Sequence, residues 1–277
     1  MSENPVRNVS DTARWVASYR AEESARPDAW FKDPLAERLA GERGRAIAAR
    51  ASIHSRWALV TRTKILDDMV MASISDGVDC VVNLAAGFDA RPYRLELPKN
   101  LRWVEVDLPD LIAEKNALLE GERARCQLER IAADLSDAAA RKEALAQATR
   151  GAKSALVITE GLVMYLETSV VESLARELAQ PPIKFWILDF SSPDVLAMIQ
   201  KGTNFENAPL KFAPEEGVQF FIKRGWKAKN VYSAFREAAR LRRLPLLMRL
   251  LAWIPQPDVV NARGGRWTAF VRLEQAA

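Results

Sequence analysis

The sequence predicts a doubly wound α/β fold, built on a mostly parallel sheet and preceded by a helical annex. From residue 78 onward, short apolar runs alternate with helix-like stretches, the pattern of strand–helix–strand units. Several runs, among them VDCVVNLAA and IKFWILDFSS, are nearly continuously apolar, as parallel strands covered on both faces should be. Residues 10–75, by contrast, keep a helical rhythm throughout.

Taken in order, Ser10 or Asp11 is placed to cap a first helix. Asp33-Pro34 opens another, with proline at its first helical position and Gly41 just past its end. The stretch from Ile53 to Val70 puts Ile53, Trp57, Val60 and Lys64 on one face, a long helix with a broad apolar side. Strands are expected in VDCVVNLAA, LRWVEVDL, CQLERIAADL, SALVITEGL and IKFWILDFSS. Helices are expected in DLIAEKNALLEGERA, DAAARKEALAQAT and SVVESLARELAQ between them. Two late strands, GWKAKNVYSA and GRWTAFVRL, bracket a helical segment around residues 234–253. No repeat or low-complexity linker divides the chain, so one domain is expected. Residues 1–76 form its annex, 77–193 its ligand-binding core, and 194–277 a lid with the last strands.

Composition narrows the possible functions. The chain has 277 residues and carries 40 Lys+Arg against 36 Asp+Glu, a net +4 too scattered to argue for a nucleic-acid footprint. Two cysteines, Cys80 and Cys126, and one histidine, His54, exclude Cys/His zinc sites and a disulfide scaffold, so no metal is expected. The opening MSENPVRNVSDTARWVASYR has no apolar core of a signal peptide, and no apolar run approaches a membrane span. A soluble, cytoplasmic protein is the expectation.

In an open parallel sheet, ligands sit at the carboxyl ends of the strands. The first strand delivers Gly87 in AAGFDAR, the second Glu105 and Asp107, the third Asp134-Leu135, the fourth Glu160, and the fifth Asp189. Asp107 follows Gly87 by twenty residues, the spacing at which a strand-end carboxylate accepts ribose hydroxyls. A solvated strand-end acid is the alternative. GFDARP lacks the further glycines that a pyrophosphate requires, and Asp89 would repel a diphosphate. A nicotinamide dinucleotide is therefore disfavoured. S-adenosylmethionine suits the pattern better, since it joins a ribose to a sulfonium, an amine and a carboxylate. Arg62, just before the first strand, is either a bidentate partner for that carboxylate or a solvated helix arginine.

These motifs together resemble the leucine carboxyl methyltransferase-like family, and within it the bacterial O-methyltransferases of polyketide-biosynthesis type. The resemblance rests on DTARWVASYRAEESARPDAWFKDPLAERLAG, TRTKILDD, VVNLAAGFDARPYRL, WVEVDLPDLIAEK, AADL and TEGLVMYL in that order. It implies a class I methyltransferase sheet with an antiparallel last strand, and S-adenosyl-L-methionine as cofactor. By that resemblance Arg62 binds the cofactor's carboxylate, and Ala85, Ala86 and Gly87 line its methionine part. Asp107, with Leu108 beside it, holds the ribose, and Asp134 and Leu135 flank the adenine. Glu160 faces the methionine amine or the mouth of the substrate pocket, with Tyr165 nearby, and these two are the catalytic candidates. Ala85 stands where relatives commonly have glycine. Arg91 and Arg94 serve the active-site loop or pair with Asp89 and Glu96.

Methyl transfer to oxygen is an in-line displacement that needs alignment and exclusion of water more than a nucleophile. A carboxylate acceptor requires no general base, whereas a phenol or enol benefits from one. The expected partner is a small-molecule acceptor, with no nucleic acid and no stable membrane insertion, in a monomer or homodimer. Methylation of a protein C-terminal carboxylate, and cofactor binding without efficient transfer, are the alternatives. EAARLRRLPLLMRLLAWIP reads as a core-packing helix pair broken at Pro245, or as a basic amphipathic surface for an anionic or lipid-like acceptor. Trp15, Trp30, Phe31 and Trp253 are expected in the core, and His54 in a structural role.

Overall fold

The computed structural model describes residues 9–50, 53–202, 209–262 and 264–276. Three helices come first: α1 (Val9–Ser24), α2 (Ala36–Arg50) and α3 (Ile53–Ser75). Then β1 (Cys80–Leu84), α4 (Arg91–Arg94), β2 (Arg102–Asp107), α5 (Pro109–Leu118), β3 (Gln127–Ala132), α6 (Ala138–Ala148) and β4 (Ala155–Thr159) alternate. A 3-10 turn over Val163–Tyr165 leads to α7 (Thr168–Leu178) and β5 (Ile183–Ser191). The chain closes with α8 (Pro193–Gly202), α9 (Gln219–Ile222), β6 (Trp226–Ser233), α10 (Ala234–Arg240), α11 (Leu246–Leu251) and β7 (Thr268–Gln275). All seven expected strands are present.

The sheet runs β3-β2-β1-β4-β5-β7-β6. Strands β1 to β5 pair in parallel, and β7 lies antiparallel to both its neighbours. Strand order reverses between β1 and β4, and the crevice beyond their carboxyl ends is where such sheets bind ligands.

Apolarity on both faces has the expected consequence. Val82, Leu84, Val104 and Trp186 point to one side, where Val171, Leu174 and Leu178 of α7 cover them. Val81, Trp103, Ile158 and Phe185 point to the other, against Leu66, Met69 and Val70 of α3. Each central strand is thus buried twice, at about 25 cal/mol per Å² of apolar surface. Helix α1 packs closely on α2, because a Cβ at Gly44 would stand 2.5 Å from the Arg14 carbonyl oxygen. Trp15, Tyr19, Phe31 and Val60 of the annex join Leu196 and Leu210 in a separate apolar cluster, with Tyr165 at its edge.

The helical reading of residues 10–75 needs correcting at two places. Residues 25–35 form turns and irregular chain, and Asp33 accepts the Leu35 amide just before α2 begins. Gly41 adopts φ 58° and ψ −172°, so it ends one helical stretch as expected, but a second follows at once. Ser10 and Asp11 both lie within the first turn of α1 rather than ahead of it, and the Asp11 carboxylate receives Arg43. Trp15 and Phe31 are buried, whereas Trp30 and Trp253 are exposed. The side chain of His54 lies outside the described residues.

Candidate active site

Two groups of side chains meet at the carboxyl ends of β1, β2, β4 and β5. The first is the turn after β1. The register Leu84↔Val106 sets the turn beside the end of β2. There the Gly87 amide donates to Asp107 Oδ2 at 2.6 Å and the Leu108 amide to Oδ1 at 2.8 Å. The twenty-residue spacing therefore does bring glycine and acid together. Burial pushes the Asp107 carboxyl above its ordinary value, and the two amides oppose that only partly. Gly87 has φ 48°, and a Cβ there would stand 3.2 Å from the Ala13 methyl of α1. One glycine is needed because the annex presses on the turn.

Ala85 also has positive φ, 52°, a conformation that costs an L-residue about 1–2 kcal/mol. Ala85→Gly is expected to raise stability by about 0.5–1 kcal/mol, after the greater entropy of the unfolded glycine chain is deducted. Paired urea denaturation curves measure it, and a destabilised variant would show that the alanine methyl is packed to advantage.

The second group is a buried network of charges. Arg62, from α3, donates through Nε to Glu160 Oε1 at 2.9 Å and through Nη1 to Asp189 Oδ2 at 3.0 Å. Arg91 reaches Asp67 at 2.7 Å, Asp89 at 2.8 Å and Glu160 Oε2 at 2.7 Å. Arg94 closes on the same Asp67 through both Nη atoms, at 2.6 and 2.7 Å. Arg20 joins Asp33 at 2.8 Å and the Phe88 carbonyl at 2.6 Å. Carboxylates gathered at one sheet edge repel, and here the chain's own arginines neutralise most of that charge. The network still holds Asp33, Asp67, Asp89, Glu160 and Asp189 against Arg20, Arg62, Arg91 and Arg94, one negative charge in excess.

Three expectations change in this light. Asp89 is turned inward to Asn83 and Arg91, and the surrounding cations hold its carboxyl well below the ordinary range despite burial. Arg91 does pair with Asp89, but Arg94 pairs with Asp67 rather than with Glu96, which is exposed. Arg62 is not a solvated helix arginine but a buried one with two carboxylate partners.

Burial pushes the Glu160 carboxyl up, and the Arg91 and Arg62 guanidiniums more than reverse this, leaving it below its ordinary value. Burial pushes the Tyr165 phenol up to about 12 against the opposing pull of Arg62. Ala86 is buried in the turn. Asp134 and Leu135 stand apart from both groups. Asp134 is exposed and accepts the Ser136 amide of its own turn, while Leu135 packs on the main core.

Asp67, Asn83 and Gly161 were not singled out from the sequence. Gly161 has φ 64°, donates its amide to Asp189 Oδ1 at 2.6 Å, and would press a Cβ to 3.1 Å from Arg62 Nη1. Its signal was the glycine directly after the fourth strand's acid. The signal for Asp67 was a double acid in TRTKILDD, one member of which falls on the buried face.

The strand order, the reversed β7 and the acids at the strand ends define the class I methyltransferase fold. Residues 13–179 match the leucine carboxyl methyltransferase family, and the chain belongs to it. A protein of Streptomyces coelicolor named as an S-adenosyl-L-methionine-dependent methyltransferase is 36% identical over 180 residues, 61% of this chain and 64% of its own. A Frankia alni protein of the same description is 32% identical over 234 residues, 76% of this chain and 83% of its own. The match to the S. coelicolor relative thus spans somewhat less than two thirds of that protein's length. Among solved structures, a DUF574-family protein from Streptomyces avermitilis superposes with a TM-score of 0.61 at 13% identity, covering 95% of this chain and 97% of that one. At that identity the likeness concerns the fold alone.

Proposed function

We propose that the protein is an S-adenosylmethionine-dependent O-methyltransferase acting on a small molecule, with a carboxylate as the favoured acceptor. The observation that carries the reading is Asp107, a buried carboxylate at the end of β2 fixed by the amides of the glycine turn. Each of its oxygens keeps acceptor capacity beyond one amide, which suits a ribose diol. The donor set fits the rest of the cofactor as well. A network one negative charge in excess favours an ammonium and a sulfonium. Arg62 uses two of its five N–H groups on Glu160 and Asp189, leaving donors for a carboxylate.

When bound, the cofactor supplies a methyl group on a cationic sulfur. The chain's part is to bind, align and keep water out. Asp107 and Leu108 take the ribose side, Ala85, Ala86 and Gly87 the methionine side, and Asp134 and Leu135 the adenine. Glu160 remains ionised and held by two arginines, so it orients charge rather than removing a proton. Tyr165, with its phenol pushed up to about 12, stays protonated at neutral pH and donates a hydrogen bond to the acceptor. With neither residue available as a base, an acceptor already ionised at neutral pH is the best match.

Calorimetry with S-adenosylmethionine, S-adenosylhomocysteine and NAD tests the cofactor. Asp107→Ala is expected to weaken the two adenosyl ligands at least tenfold, about 1.4 kcal/mol. Tight NAD binding without the sulfonium ligand would overturn the proposal. A screen of carboxylic acids and phenols then tests the acceptor. If the cofactor binds and neither class is methylated, binding without transfer becomes the better reading.

A further inference from the structure

Between Glu237 and Asp258 the chain has no acidic residue, yet it carries Arg240, Arg242, Arg243 and Arg249. The part between Leu244 and Val259 projects from two fixed points. On one side Leu241 and Leu244 are buried, and Arg243 grips Glu23 at 2.7 and 2.9 Å. Trp30 Nε1 also donates to the Leu241 carbonyl at 2.8 Å. On the other side Val259 is buried, and its carbonyl accepts the Val218 amide at 3.1 Å. Between these anchors Leu246 is 75% exposed, Leu250 70% and Trp253 89%, with Leu251 and Ile254 also exposed. The core-packing reading of this segment therefore fails on its apolar side.

Two of the four arginines around the ridge are paired and two are not. Arg243 is engaged by Glu23 and Asp28, and Arg240 by Glu237. Arg249, however, donates to the carbonyls of Leu244 and Arg242, and among the described residues neither it nor the exposed Arg242 forms an ion pair. Exposed tryptophan and branched aliphatics with Arg242 and Arg249 close by in the chain suit the headgroup boundary of a bilayer, where the rings sit at the interface and guanidiniums meet phosphate. A second copy of the chain is the poorer occupant, because a two-fold contact here would set like charges against one another.

We propose that this ridge adsorbs the protein to the surface of an anionic phospholipid bilayer, without inserting into it. No helix among the described residues is long and apolar enough to cross a membrane. Arg243 and Trp30 tie the ridge to the annex, so adsorption turns that end of the molecule toward the lipid.

Flotation of the full chain with vesicles of phosphatidylcholine, alone or mixed with phosphatidylserine, tests the proposal. Partitioning to the anionic vesicles is expected to be at least about tenfold stronger and to weaken as salt is raised. Leu250→Ser with Trp253→Ser is expected to cut it at least about tenfold, and Arg242→Glu to erase the preference for anionic lipid. These side chains are exposed, so an unchanged melting temperature confirms that the fold is intact. Failure to float with anionic vesicles, or equal flotation by the variants, overturns the proposal. A lipid-free dimer in sedimentation that the double variant dissolves would assign the ridge to a second copy instead.

Discussion

Asp67→Ala is expected to lower the stability of the protein by about 3–5 kcal/mol, the cost of stranding a buried charge by removing its partner. Asp67 is itself buried on α3, and its two oxygens receive Arg91 Nε and both Nη atoms of Arg94. Arg91 keeps Asp89 and Glu160 after the substitution, so the damage falls mainly on Arg94. The nearest other acid to Arg94 is Asp33, 3.8 Å away and already bound by Arg20. Arg94 also lies over the Phe31 ring at 5.3 Å, so its loss of position reaches the annex. The adjacent Asp68 is the control: its side chain is exposed and, among the described residues, its one ion pair is with Lys64. Asp68→Ala is expected to change stability by no more than about 0.5 kcal/mol. Urea denaturation of the two variants measures the contrast, and comparable midpoints would show that the network adds nothing to stability.

The contrast between Asp67 and Asp68 also shows where sequence reading stops. The strands were legible because a segment apolar at every position, such as Cys80–Leu84, has few structures open to it. Asp107 was legible because the length of one strand–helix–strand unit fixes how far it lies from Gly87 in the chain. Asp67 was not, since its partners sit 24 and 27 residues away on α4, and helical periodicity carries no information about that. Nor was the fate of Trp253. Leucines and arginines at helical spacing read alike whether the apolar side is buried or bare, and only the tertiary structure leaves Leu250 and Trp253 uncovered. Ala85 lies between these cases: the resemblance marks the position, but the strain follows from its φ of 52°.

Arg62→Ala should produce both a binding defect and a pH-dependent instability, which together separate its two roles. If Arg62 binds the cofactor carboxylate as proposed, loss of its remaining donors is expected to weaken S-adenosylmethionine at least tenfold, about 1.4 kcal/mol. The second effect comes from the acids that Arg62 holds apart, Glu160 and Asp189. Burial already pushes the Asp189 carboxyl above its ordinary value, with Arg62 the main force pulling it back and Glu160 pushing it further up. Without the guanidinium, folded Asp189 binds its proton more tightly still than the unfolded chain does. A group raised in this way favours the folded state below its unfolded pKa, and that advantage is lost as pH rises through the folded one. The stability deficit of Arg62→Ala is therefore expected to be larger at about pH 8 than at about pH 5. Arg62→Lys keeps the cation but not the fork, so it should remove most of this pH dependence while leaving ligand affinity impaired. Denaturation midpoints across that range, set beside calorimetry for each variant, provide the measurement. A deficit independent of pH would mean that Asp189 finds another cation once Arg62 is gone, and unchanged affinity in both variants would remove Arg62 from the binding site.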